Sequence, residues 1–127
     1  MQIIETPGHT PGTISLLDEK NGFLFSGDTI VGHGILLNLP ESSDVESFRD
    51  TIYLLEDLAE RKGFTQIFGG LGKTPAGTVL LKIFEEICDQ ILNGEISDKD
   101  LKKGVLEYKN VTISFNPQNI TKEEVKK

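Results

Sequence analysis

Apolar positions alternate in short runs over the first third of this chain, then fall into helical spacing. Up to residue 27 the runs are "QIIE" (2–5), "TISLLD" (13–18) and "GFLFSG" (22–27), β-rich and bounded by turn residues. Between the last two, "EKNG" carries Asn21-Gly22, a strong hairpin signal. The stretch from Asp28 to Pro40 reads as a loop. From Val45 the period changes. Val45, Phe48, Ile52, Leu55 and Leu58/Ala59 line one face of a predicted helix, with Ser43 and Glu46 as a capping box and Gly63 as its stop. "FTQIF" (64–68) predicts a further strand. Leu80, Ile83, Phe84, Ile87 and Ile91 mark a second helix, expected to open at Thr74-Pro75 and close at Gly94. "SDKDLKKG" reads as a short helix or loop, and "VLEY" and "VTISF", joined at Lys109-Asn110, as a hairpin. No repeat or interdomain linker interrupts the pattern, so a single domain over residues 1–127 is expected, with 119–127 a flexible tail.

Charge and cysteine content narrow the function classes. With 13 basic and 20 acidic residues the net charge is −7, and nucleic-acid binding, which needs a focused positive surface, is not expected. Nor is a membrane partner, since no apolar run is long enough to span a bilayer. One cysteine, Cys88, sits among core positions of the second helix and reads as a buried, inert thiol. "NVT" at 110 and "NIT" at 119 fit the glycosylation pattern, but the start "MQIIETPGHT" has no secretory character, and a cytoplasmic protein is the expectation.

Two loops carry candidate chemistry. "GGLGKT", Gly69 to Thr74, follows a predicted strand and precedes a helix, as a phosphate-cradling loop would. A P-loop, however, requires G-x-x-x-x-G-K-[ST], and counting back from Gly72-Lys73-Thr74 puts Ile67 at the first glycine. Pro75 also removes a backbone donor where a phosphate would seek one. A nucleotide-binding protein is therefore the weaker reading of this loop.

The other loop is "TPGHTPGTISLL", followed by "GFLFSGDTI". Pro7, Gly8, Pro11 and Gly12 make a stiff, tight loop around His9, and Asp28 directly follows a strand. Together, in this order and with a hairpin between them, the two stretches resemble the third and fourth motifs of the metallo-β-lactamase superfamily, over residues 2–92. The resemblance implies an α/β fold, half of an αββα sandwich: one mainly antiparallel or mixed sheet with helices on one face. It implies zinc as cofactor, His9 as a metal ligand, and Asp28 as a carboxylate that bridges two metals where a bound hydroxide attacks an ester, thioester, amide or phosphodiester. Imidazole and carboxylate both suit zinc. Leu71 stands where the resemblance puts the last histidine ligand, and the chain contains no H-x-H-x-D-H motif. "GGLGKT" is then a ligand loop that has lost its ligand. His33, in "GHG", either supplies a third ligand if its loop folds back or is an ordinary loop histidine. Residues 93–118 form an extension beyond the resemblance.

His9 and Asp28 are fewer than the three protein ligands that catalytic zinc usually takes. A truncated, degenerate half-domain, inactive as a lone chain, is the expected function class. The alternative is one part of a split or dimer-reconstituted zinc hydrolase. Half a sandwich also leaves the outer face of its sheet apolar and open, so a homodimer, or a separate chain carrying the N-terminal half, is expected to cover it.

Overall fold

The computed structural model describes residues 1–8, 12–27, 34–37, 42–69, 76–109, 111–117 and 120. In chain order the elements are β1 (Gln2–Glu5), β2 (Ile14–Asp18), β3 (Phe23–Gly27), β4 (Gly34–Leu37), α1 (Val45–Lys62), β5 (Gln66–Gly69), β6 (Ala76–Gly77), α2 (Val79–Leu92), α3 (Asp98–Lys103), β7 (Val105–Tyr108) and β8 (Val111–Phe115). They build a mixed sheet in the order β1-β2-β3-β5-β6 and a smaller one in the order β4-β8-β7. In the larger sheet every pairing is antiparallel except β3 with β5. Parallel neighbours need a crossover, and α1 lies within it.

Alternation along the strands separates two unlike faces. Ile4, Leu17, Leu24 and Ile67 point inward and share one core with the apolar stripes of α1 and α2. Phe48 and Phe84 meet edge to face at the centre of that helix pair, with ring centroids 5.7 Å apart. Outward, the register aligns Ile3 with Leu16, Leu16 with Phe25, and Phe25 with Phe68, a row across four strands. Phe25 stacks on Phe68 at 5.3 Å and Phe23 meets both rings edge-on. No described element covers this row: Ile3 is 67 % exposed, Ile14 beside it 46 %, and the phenylalanines are half-buried. The helices thus lie on one face and the other is apolar and open, as expected of half a sandwich.

The local signals hold with shifts that have physical reasons. Asp44, not Ser43, caps α1: its carboxylate accepts the Ser47 N–H at 2.7 Å. The Ser43 N–H instead bonds the Gly8 carbonyl at 2.8 Å, and the Glu46 N–H bonds Ile120. Ile120, read from sequence as part of a loose tail, is buried in the core. Residues 119 and 121–127 lie outside the described residues. The second helix begins at Val79, later than the Thr74-Pro75 signal, because Ala76 and Gly77 first pair with Ile67 and Gln66. Thr74 and Pro75 themselves are outside the described residues. Within the stretch read as a loop, Gly34–Leu37 forms β4, which pairs in parallel with β8. The predicted C-terminal hairpin is the antiparallel pair β7 and β8, and α3 is a single short helix capped by Ser97.

Gly104 ends α3 with φ +69°, and a methyl group there would collide with the Phe115 carbonyl. The Phe115 N–H also bonds the Gly104 carbonyl, so neither backbone can withdraw cheaply. Gly104→Ala is expected to destabilise the fold by about 2 kcal/mol or more, read as a lower urea midpoint at unchanged slope.

On the outer side of the helix pair, Glu56 of α1 faces Glu85 of α2. Burial, then the hydrogen bond and charge of Glu85, push the Glu56 carboxyl up to about 7. Glu85 is held low because its carboxylate accepts from Glu56 and from Lys82, whose Nζ is 3.1 Å away. When protonated, Glu56 donates to the Glu85 carboxylate. A raised folded-state value means that the folded protein holds a proton the unfolded chain has released. The resulting stability is complete below the ordinary glutamate range and is lost as pH rises through about 7. Glu56→Gln keeps a donor toward Glu85 without the titration. It is expected to flatten the stability curve between about pH 5 and 8, by roughly 1 kcal/mol after discounting for partial exposure, as measured by urea unfolding at several pH values.

Candidate functional site

β2 runs antiparallel to both β1 and β3, and β5 runs parallel to β3. β1, β3 and β5 therefore point the same way, and their C-terminal ends share one edge of the sheet. From that edge the chain leaves β1 toward His9, leaves Gly27 toward Asp28, and leaves Gly69 toward Leu71. Gly27 and Gly69 are direct neighbours across the β3–β5 pair, next to an irregularity in the register. Sequence separates these three departures widely, and the strand directions bring them together. His9, Asp28, His33 and Leu71 themselves lie outside the described residues.

The approach to His9 is held from two sides. On the sheet side, the Thr6 N–H bonds the Thr13 carbonyl at 3.0 Å, and the Thr6 and Ser15 hydroxyls are 2.9 Å apart in the interior. On the helix side, Thr51 Oγ1 donates to the Pro7 carbonyl at 2.7 Å, and the Gly8 carbonyl accepts from Ser43. Near Gly27, Ser26 Oγ reaches the Phe68 carbonyl at 3.4 Å. The buried polar side chains among the described residues are Thr6, Ser15, Ser26, Ser42 and Thr51, all belonging to this edge or to the start of α1 that braces it. Sequence reading missed Thr51. Its signal was a hydroxyl inside the otherwise apolar stripe of α1.

The donors that the sequence offers here are an imidazole and a carboxylate, both apt for zinc, while Leu71 has no lone pair to give. Two donors do not make a complete zinc site, and no group of three or more His, Cys, Asp or Glu among the described residues could hold a metal. Cys88 is no alternative: it is buried in the core, and that burial pushes its thiol far above the ordinary range, away from the reactive thiolate. A shallow depression at the opposite end of the strands is walled by Asp18, Glu19, Lys20 and Lys62. Within it Lys62 and Glu19 pair with each other at 2.9 Å, and the Asp18 carboxylate accepts from Asn21. The phosphate-loop reading also loses its framework, since a strand at Ala76–Gly77 separates "GGLGKT" from the N-terminus of α2. No helix among the described residues is long and apolar enough to cross a membrane.

Residues 1–70 match the metallo-beta-lactamase superfamily. The chain belongs to that superfamily. A protein of Methanocaldococcus jannaschii described as a probable metallo-hydrolase is 39 % identical over 74 residues, 58 % of this chain and 34 % of its own length. The beta-lactamase-like protein 2 homolog of Caenorhabditis elegans is 27 % identical over 112 residues, 88 % of this chain and 34 % of its own. This metallo-β-lactamase-type chain thus spans about a third of the length of both relatives. Among solved structures, a metallo-beta-lactamase family protein of Thermus thermophilus superposes with a TM-score of 0.57 at 20 % identity, covering 73 % of this chain and 31 % of that one. A metallo-beta-lactamase of Pseudomonas aeruginosa, solved in its mono-zinc form, gives 0.52 at 22 % identity, covering 65 % and 36 %. At these identities the two structures speak for the fold, and the partial coverage agrees with half of a sandwich.

Proposed function

We propose that these 127 residues are one layer of a metal-dependent hydrolase, supplying part of a zinc site and inactive alone. The common direction of β1, β3 and β5 carries this reading, because it brings the approaches to His9 and Asp28 to one sheet edge. In it, His9 and Asp28 are metal ligands, His33 is the further candidate, and Leu71 leaves the second metal position without its histidine. When bound, the metal would supply Lewis acidity and an activated water. The chain's own part is to hold the two donors at a braced edge. A lone buried Cys88 suits a reducing compartment, and the cytoplasm is the proposed location.

The remaining ligands must come from other residues brought to this edge. The occupant proposed for the outer face is a second copy, since a two-fold pairing stacks the Ile3–Leu16–Phe25–Phe68 row on itself and brings a second His9 and Asp28 into the assembly. A chain carrying the complementary sheet is the other reading, favoured by the short coverage of the relatives. Zinc titration followed by calorimetry tests the ligand assignment. Weak binding that disappears in both His9→Ala and Asp28→Ala is expected, with no zinc-dependent ester or thioester hydrolysis by the free chain. Binding indifferent to both substitutions would remove the assignment.

A further inference from the structure

Thr51 occupies a position on α1 where the helical stripe is otherwise Val45, Phe48, Ile52, Leu55 and Leu58, and it is only 3 % exposed. Valine would fill the same space, so packing alone does not ask for a hydroxyl. A buried hydroxyl is costly unless it is bonded, and this one donates to the Pro7 carbonyl at 2.7 Å. Pro7 has no N–H, so that carbonyl is its only backbone hydrogen-bonding group. With the Gly8 carbonyl bound to Ser43 and the Thr6 N–H bound to Thr13, three consecutive residues are fixed, one to the sheet and two to the helix side. The next residue is His9.

We propose that Thr51 is a positioning residue of the metal edge: through the Pro7 carbonyl it sets, from α1, the backbone that leads into His9. The inference rests on the reading of His9 as a metal ligand and goes beyond it by assigning a role to a helix residue that would not itself touch the metal. Groups that orient a ligand govern metal affinity strongly, with losses of about 10- to 100-fold when they are removed.

Nuclear magnetic resonance on Thr51→Val and Thr51→Ser chains tests it, with amide exchange recorded first without metal and the His9 ring then followed through a zinc chloride titration. For Thr51→Val, exchange should quicken at Thr6 and Ser43, whose N–H groups bond the Thr13 and Gly8 carbonyls, and zinc affinity at His9 should fall by about tenfold. Exchange at Leu106 and Ile113 in the distant hairpin should not change, which shows that the variant is folded. Thr51→Ser, retaining the donor, should stay within about twofold of wild type by the same reasoning. Should valine fail to fold, Thr51→Ala offers the same loss of donor without a branched side chain. A Thr51→Val or Thr51→Ala chain with wild-type exchange and zinc response would overturn the role of Thr51 while leaving His9 as a ligand. A wild-type His9 ring that ignores zinc would overturn the metal reading, and the role of Thr51 with it.

Discussion

Phe48→Ala is expected to cost this chain about 4 kcal/mol, a large share of the roughly 5–15 kcal/mol that holds a domain of ordinary stability together. Phe48 is fully buried and its ring meets Phe84 edge to face, so truncation removes both the transfer energy of the ring and an aromatic contact. The cavity would open between α1 and α2, where Ile52, Leu55 and Ile87 are also fully buried and cannot collapse far without strain. Thr51, on the same face, would shift with the helix, so the bond to Pro7 should loosen too. Urea unfolding followed by circular dichroism, at fixed protein concentration because association adds to apparent stability, should show the loss. Phe48→Leu should recover more than half of it. An alanine variant within about 1 kcal/mol of wild type would mean that the helix pair is not the centre of the core.

Phe25→Asp should act on assembly rather than on folding. Phe25 lies in the half-buried outer row, between Leu16 and Phe68, where a carboxylate can still reach water. Its loss removes the stack on Phe68 and the edge contact with Phe23, each worth about 1 kcal/mol to the fold. In a face-to-face pair, however, the same carboxylate would be desolvated against apolar side chains. The dissociation constant of the proposed dimer is therefore expected to rise at least about 100-fold, roughly 2.7 kcal/mol, as read by analytical ultracentrifugation. Tyr53→Asp, on the exposed side of α1, is the control and should leave association unchanged. Equal effects from both would move the interface away from the sheet.

What could be read from sequence was what neighbours in the chain decide. The stripe of α1 follows from residues a turn apart, and Gly63 ends it in the left-handed conformation that glycine tolerates. Asn21-Gly22 marked a real reversal between β2 and β3, with Gly22 at φ +72°. The misses all depend on distant partners. β4 exists because β8 lies beside it, far along the chain, and nothing local to "GILL" announces that pairing. The delayed start of α2 depends on β5, and the burial of Ile120 on the start of α1. At the candidate site, the two motifs were legible as residues at short spacing. Their common edge was implied by the family resemblance and by the hairpin that carries the chain to Asp28, while its structural reason, the common direction of β1, β3 and β5, was not legible. Thr51 stayed hidden because its bond partner, Pro7, belongs to another element.

Native mass spectrometry of the wild-type chain, purified without chelator and sprayed with added zinc, tests most directly whether this is a sheet layer that needs a second layer and a completed metal site. A dimer that holds zinc, and loses it in His9→Ala and Asp28→Ala, is the expected result. A stable monomer that takes up no zinc, or a dimer whose zinc is indifferent to both residues, would contradict it.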